Sequence, residues 1–291
     1  MEDSVINNEY KTMEKQFKRK SLQEIKDIYS EIIIDTKEPY STLLSCVGEW
    51  KRKDGKIQPI WNVNQGQDGF YIIPLALSEK EQVEIGKEAI TTWSTVPHVT
   101  NISNHSTLNQ TNQATKLPKL SWSTLGRHYD WTKRMYHDKE SILYPPSSLP
   151  LRMIELAMSI SSSIHCPMIP TAGIVNYYTP SSIMGGHFDD AEINQNAPVI
   201  SISLGQSALF LKGGLSKSIV PIPVILHSGD IIILAKNTRR CIHGVPRIFS
   251  HSFDDQNEDD QNDYQEGHDD DDIMTYLKSH RININLRQVD H

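Results

Sequence analysis

The chain has 291 residues, with 29 Lys and Arg against 36 Asp and Glu, and 37% of its residues are hydrophobic. That is too apolar for wholesale disorder, and no run approaches the ~18–20 apolar residues a membrane-spanning helix needs. Met1 to Lys20 is charged throughout and lacks an apolar signal-peptide core, and Cys46, Cys166 and Cys241 form no paired motif. An intracellular protein of the nucleus or cytoplasm is expected, monomeric, with no membrane partner, disulfide framework or structural zinc site.

The net charge of -7 conceals an asymmetry. Eleven acids and no Lys or Arg fall between Ser250 and Asp272; setting them aside leaves 25 acids against 29 bases, a body of +4. Such a block of like charge is expected to be a solvated loop, residues 250–272, that limits non-specific contact with nucleic acid.

In chain order, residues 1–68 form an N-terminal helical extension. Two helices are expected in the first thirty-odd residues. The second opens at a capping box, Ser21 with Glu24, and puts Leu22, Ile25, Ile28 and Tyr29 on one face. Residues 35 to 68 look irregular. The segment 69–170 begins with a short strand over Gly69–Ile73 stopped by Pro74. A helix follows, capped by Ser78 and Glu81, with Val83, Ala89, Ile90 and Trp93 apolar. A polar loop spans 94 to 119, and a helix covers Leu149–Ile164. From Thr171 the texture changes to short β-rich runs: Gly173–Tyr178, Val199–Leu204, Ala208–Leu211, Val224–His227, Ile231–Leu234 and Ile282–Leu286. The fold class is therefore α+β: helices packed on a C-terminal jelly-roll core, residues 171–291.

His187 and Asp189 are two residues apart on an extended chain and project to one side, so they can chelate one ion. His243 lies 56 residues later, after another strand. Two imidazoles and one carboxylate with open opposite positions suit non-haem Fe(II) oxygenases. Arg281, Asn283, Asn285 and Arg287 share one face of the last strand, where two guanidiniums and an amide could clamp a dicarboxylate. His227, before a Ser-Gly-Asp turn, is expected to be a hydrogen-bonded strand-end residue. Cys241 is expected to be packed, and Arg239 and Arg240 either touch phosphate or lie on the surface.

In combination, Asn176-Tyr177-Tyr178, His187-Phe188-Asp189, His243 and Arg281-x-Asn283-x-x-x-Arg287 resemble the AlkB family of Fe(II)/2-oxoglutarate dioxygenases. The segments Ala172–Tyr178, Ser201–Leu211, His227–Ile231, His243–Arg247 and Leu125–Trp131 resemble the AlkB homolog 1 subgroup. The resemblance covers roughly residues 69–289 and implies a double-stranded β-helix. It implies that His187, Asp189 and His243 hold Fe(II). Asn176, Tyr178, Asn283, Arg281 and Arg287 would hold 2-oxoglutarate, with Arg281 on its distal carboxylate. The implied reaction consumes O2 and removes N-methyl groups from bases in DNA or RNA as formaldehyde, on an unpaired or flipped base. N6-methyladenine and 1-methyladenine are the leading substrates, with a role in DNA repair or RNA modification. The nucleotide-recognition lid falls within 69–170, where Arg127 and Tyr129 are candidate substrate contacts. Trp122 and Trp131 are expected to pack on the sheet. Ala191 stands where bacterial relatives place an acid facing the base, and the adjacent Glu192 is the candidate substitute. A methylated-protein substrate such as a histone tail, a non-catalytic jelly-roll module, and abasic-site cleavage by an amine nucleophile are the rivals.

Overall fold

The computed structural model describes residues 8–38, 41–64, 66–103, 120–138, 140–141, 147–250 and 268–290. Two N-terminal helices, α1 (Glu9–Phe17) and α2 (Leu22–Ile28), precede a short strand β1 (Ile34–Asp35). A hairpin follows, β2 (Leu44–Lys51) and β3 (Ile57–Val63), and then β4 (Phe70–Ile73) and α3 (Glu79–Thr91). The middle of the chain supplies β5 (Val99–Thr100), β6 (Trp122–Gly126), β7 (Tyr129–Asp130), β8 (Met135–Tyr136) and α4 (Leu151–Ser163). The C-terminal part supplies β9 (Ala172–Tyr178), β10 (Met184–His187), β11 (Val199–Gly205), β12 (Ala208–Lys212), β13 (Ile222–Leu226), β14 (Ile231–Leu234) and β15 (His243–Ile248). Helix α5 (His268–Ser279) and β16 (Arg281–Arg287) close the described chain.

The strands form two facing sheets. The larger runs β2-β3-β4-β14-β11-β16-β9-β6-β5 and the smaller β1-β13-β12-β15-β10, while β7 and β8 pair separately. Period-two alternation assigns each strand residue to a layer. On β14, Ile231 and Ile233 join the cluster beneath α3, α4 and α5, whereas Ile232 and Leu234 face the space between the sheets. On β12, Ala208 and Phe210 face the same space, while Leu209 and Leu211 meet α1 and α2 outside. Strands buried on both faces explain why Ile231–Leu234 shows an unbroken apolar run.

Both capping boxes form as the sequence indicates, at Ser21 with Glu24 and at Ser78 with Glu81. Ile25 is fully buried under α2, but Ile28 is 56% exposed and does not share its face. The reading of residues 35–68 as irregular is corrected: β2 and β3 widen the large sheet. Their turn uses Asp54-Gly55, with Gly55 at φ 91° and Arg52 N–H donating to Lys56 O at 2.9 Å. β2 is largely exposed and carries a register irregularity between Cys46 and Gly48, so its sequence lacks a clean apolar alternation. The acidic loop placed at 250–272 ends sooner than expected, because α5 starts at His268. Ile273, Tyr276 and Leu277 give it an apolar stripe at helical spacing, and acids suit a helix N-terminus. Residues 251–267 lie outside the described residues, as do 104–119 of the polar loop. Among the described residues no helix is long and apolar enough to cross a membrane.

Trp50 joins the hairpin to the main core: it is buried, and its indole N–H donates to Ala76 O at 3.2 Å. Trp50→Ala should therefore cost about 3–5 kcal/mol in a denaturation experiment, as for other buried Trp truncations. A cost under about 0.5 kcal/mol, typical of a surface site, would detach the hairpin from the core.

Candidate metal centre and cofactor cavity

Between the sheets lies a cavity of about 400 Å³ lined by residues of both. That volume is within the usual range of small-molecule sites. His187 ends β10 and His243 begins β15, and the two are register partners across that pair. Asp189 follows β10 by two residues and turns into the same point. One ligand atom from each of the three lies within 4.8 Å of the others. Asp189 is 3.8 Å from His187 Nε2 and 3.7 Å from His243 Nε2.

Each histidine is fixed in one tautomer. His187 Nδ1 lies 3.0 Å from Gly185 O and His243 Nδ1 lies 3.1 Å from Cys241 O. A carbonyl only accepts, so both Nδ1 atoms carry the proton and both Nε2 lone pairs face the centre. Burial, aided by His187, pushes the His243 imidazole down to about 4. Burial alone would raise the Asp189 carboxyl. The charges of Arg287, His243, His187 and Arg239 outweigh it and hold Asp189 below the usual carboxylate range. Two imidazole nitrogens and an ionised carboxylate are the donor set a divalent iron requires.

Strand β16 supplies the opposite wall. Ile282, Ile284 and Leu286 enter the core, while Arg281, Asn283, Asn285 and Arg287 line the cavity. Arg287 Nη2 donates to both Asp189 oxygens at 2.9 Å, and its Nη1 to the Tyr136 hydroxyl at 3.1 Å. Arg287 thus holds the metal carboxylate directly. Asn283 Nδ2 donates to Ser201 Oγ at 2.7 Å and Ile202 O at 3.0 Å. Asn176 is its register partner on β9, and its side chain makes no hydrogen bond among the described residues.

Arg281 is bonded differently from Arg287 and Arg239. It is 1% exposed, donates to Gln206 O at 3.2 Å and Ser203 Oγ at 2.8 Å, and leaves Nε unpartnered. No carboxylate lies within ion-pair distance of it among the described residues. Burial lowers it to about 10, with Tyr178 and Asp230 acting the other way. Tyr178, its register partner, lines the cavity, and burial raises its hydroxyl to about 12. A buried guanidinium without a counter-ion is costly, so the cavity fits an anion at this end. A dicarboxylate such as 2-oxoglutarate would meet that need with one of its carboxylates.

The candidate substrate residues part company. Tyr129 lines the cavity mouth beside Trp131, which is 41% exposed and lies against Trp122 in a tilted pair with ring centroids 3.9 Å apart. Trp131 thus packs on Trp122 of β6, as expected, and also lines the cavity opening. Arg127 is not brought to the cavity: it donates to His137 O and pairs with Asp290, tying the end of β6 to the C-terminal segment. Glu192 reaches the cavity wall but is turned inward, accepting from the Tyr136 hydroxyl at 3.0 Å and from Arg239 at 2.9 Å. It does not replace the acid that Ala191 lacks. Arg239 is neither on the surface nor a phosphate contact, being 2% exposed and also donating to Asp189 O and Ala197 O. Its sequence gives no sign of this, nor does that of Tyr136, which joins Arg287 to Glu192. His227 is hydrogen-bonded to Ser207 and Asp35 as the sequence indicates, and buried Cys241 donates to Gln67 at 3.2 Å. Because Arg239 and Glu192 are 2% and 1% exposed, Glu192→Ala should cost about 3–5 kcal/mol by stranding the arginine. Equilibrium denaturation checks this; an unchanged midpoint would mean that water reaches the pair.

A sequence model of the 2OG-Fe(II) oxygenase superfamily matches residues 69–287. The chain is 33% identical over 270 residues to "DNA N(6)-methyladenine demethylase ALKBH1A" of Arabidopsis thaliana, covering 76% of this chain and 75% of that protein. It is 31% identical over 228 residues to "Nucleic acid dioxygenase ALKBH1" of Homo sapiens, covering 70% of this chain and 58% of that protein. With "tRNA demethylase abh1" of Schizosaccharomyces pombe it shares 34% identity over 134 residues, 46% of this chain and 44% of that protein. The chain thus spans about half the length of the human and yeast relatives. A solved structure described as "The structure of OsALKBH1" matches with a TM-score of 0.52 over 76% of this chain and 97% of that one. At 22% identity this likeness concerns the fold, a jelly-roll core. With the triad, the unpaired arginine and these matches together, the chain belongs to the 2OG-Fe(II) oxygenase superfamily and, within it, to the ALKBH1 subgroup of the AlkB family.

Proposed function

We propose that this dioxygenase demethylates N-methylated bases of DNA or RNA, and that it favours a neutral base such as N6-methyladenine over a cationic one such as 1-methyladenine. The observation that carries the oxidative chemistry is the buried Arg281 without a counter-ion, set across one cavity from the His187, Asp189 and His243 triad. The named activities of the Arabidopsis, human and yeast relatives support a nucleic-acid substrate. The mildly basic body suits an anionic partner, since most affinity for nucleic acid comes from phosphate contacts.

When bound, Fe(II) with 2-oxoglutarate and O2 supplies the oxidant for the N-methyl carbon, which leaves as formaldehyde. The chain's own residues do the rest. His187, Asp189 and His243 hold the metal, and Arg287 keeps Asp189 ionised and aimed. Arg281 takes the distal carboxylate of 2-oxoglutarate, with Tyr178 beside it, and Asn176 and Asn283 line the path between. Tyr129 and Trp131 offer ring faces at the mouth for an unpaired or flipped base. The preference for a neutral base follows from the acids of the wall. Asp189 faces Arg287, Glu192 faces Arg239, and Asp190 faces Arg134 at 3.5 Å. Among the described residues lining the cavity, a positively charged base would meet no carboxylate that lacks an arginine.

Formaldehyde release from a panel of oligonucleotides, DNA and RNA, paired and unpaired, tests this. A higher kcat/KM for N6-methyladenine than for 1-methyladenine is expected; the reverse order would overturn the charge reading. Turnover only on a methylated basic peptide would move the substrate to protein. Asp189→Ala should abolish 2-oxoglutarate turnover, because two neutral ligands remain. Arg281→Lys should weaken 2-oxoglutarate by roughly 1.5–3 kcal/mol, measured anaerobically with Mn(II), because a point charge replaces a planar fork.

A further inference from the structure

Helix α1 lies outside the residues matched by the superfamily, yet it packs on β10 and β15, the two strands that carry His187 and His243. The contact centres on Tyr10. Its side chain is 1% exposed, its hydroxyl donates to Leu211 O at 3.2 Å, and its backbone N–H donates to Lys217 O at 3.1 Å. The ring occupies a socket made by three glycines. A Cβ on Gly186 would overlap the ring, one on Gly213 would lie 2.7 Å from Tyr10 Cδ2, and one on Gly244 would lie 2.9 Å from its hydroxyl. Gly186 precedes His187 and Gly244 follows His243. Gly213 follows Lys212, the register partner of His243 on β12.

β10 needs such a support. Among the described residues it is the edge strand of the small sheet, hydrogen-bonded on one side only, to β15. Its sequence, Met-Gly-Gly-His, gives it few side chains with which to hold its place. We propose that Tyr10 is a positioning residue for the metal site: its ring, wedged among Gly186, Gly213 and Gly244, sets the spacing of β10 and β15. It thereby sets the spacing of His187 and His243, whose ring centroids are 4.4 Å apart. This rests on the reading that the triad holds the metal. The ring works from the outer face of the sheet and touches neither cofactor nor substrate.

The test is anaerobic binding of Mn(II) to the full chain, read by the electron paramagnetic resonance of the free ion. Tyr10→Ala should weaken Mn(II) by roughly tenfold or more, the scale of losing a residue that orients a ligand. Tyr10→Phe keeps the ring and should restore most of the affinity. Gly186→Ala alone should weaken Mn(II), because its methyl meets the ring. Added to Tyr10→Ala it should cost nothing further, because the ring is gone. Phe17→Ala is the control: it removes a fully buried ring from the same helix and cluster, one that is not among the nearest atoms to Gly186, Gly213 or Gly244. It should lower Tm and leave Mn(II) affinity unchanged. Wild-type affinity in Tyr10→Ala, or in Gly186→Ala should Tyr10→Ala fail to fold, overturns the proposal. So does an equal loss of affinity in Phe17→Ala. Failure of wild type to bind Mn(II) overturns the metal reading itself, and the proposal with it.

Discussion

A carboxylate enclosed between two sheets takes up a proton unless cations stand beside it, and a protonated Asp189 cannot ligate a metal. The rest of the site is arranged around that constraint. Arg287 answers it by donating to both Asp189 oxygens. Its own position follows from the register of β16 between β11 and β9. A second arginine, Arg239, is fixed by Glu192, so the buried acids Asp189 and Glu192 are matched by two arginines. Arg281 is then the one cavity-lining buried guanidinium without an acid among the described residues. Counting only these three arginines and two acids, the enclosed charges sum to +1. A divalent metal and a doubly charged 2-oxoglutarate add opposite charges of equal size, so together they leave that sum unchanged. Either one alone would alter the charge of an enclosed cavity by two, which favours binding of the pair.

One strand does two jobs because of its period. On β16 the odd-numbered positions from Arg281 to Arg287 are polar and face the cavity, and Ile282, Ile284 and Leu286 face the helices. This alternation is plain in the sequence, as is the same-side placement of His187 and Asp189. The capping residues of α2 and α3 and the apolar β-runs after Thr171 were equally legible. Each depends on short-range spacing that the chain carries locally.

What escaped depends on partners distant in sequence, or on weak side-chain signals. β10 and β15 contain Gly185, Gly186, Gly244 and Pro246, residues poor in strand propensity, and they exist because of their neighbours. In the hairpin Ile60 and Val63 of β3 are buried but β2 encloses only Trp50, so its turn, Asp54-Gly55, was the strongest local cue. Arg127 and Glu192 had suitable chemistry and suitable places along the chain. Their side chains were claimed by Asp290, Arg239 and Tyr136, none of which is near them in sequence. Spacing can nominate a ligand, but competition for its hydrogen-bonding groups is decided by the fold.

The irregularity between Cys46 and Gly48 bears on how this chain behaves among other copies of itself. β2 is the outermost strand of the large sheet, and its outer rim carries backbone groups able to recruit another strand. A straight, apolar rim there would be a template for sheet-to-sheet growth. The extra residue in β2 bends the ladder, and Glu49 and Lys51 place charges along the strand. The hairpin can therefore broaden the sheet beneath Trp50 without offering a flat border for a second molecule to join.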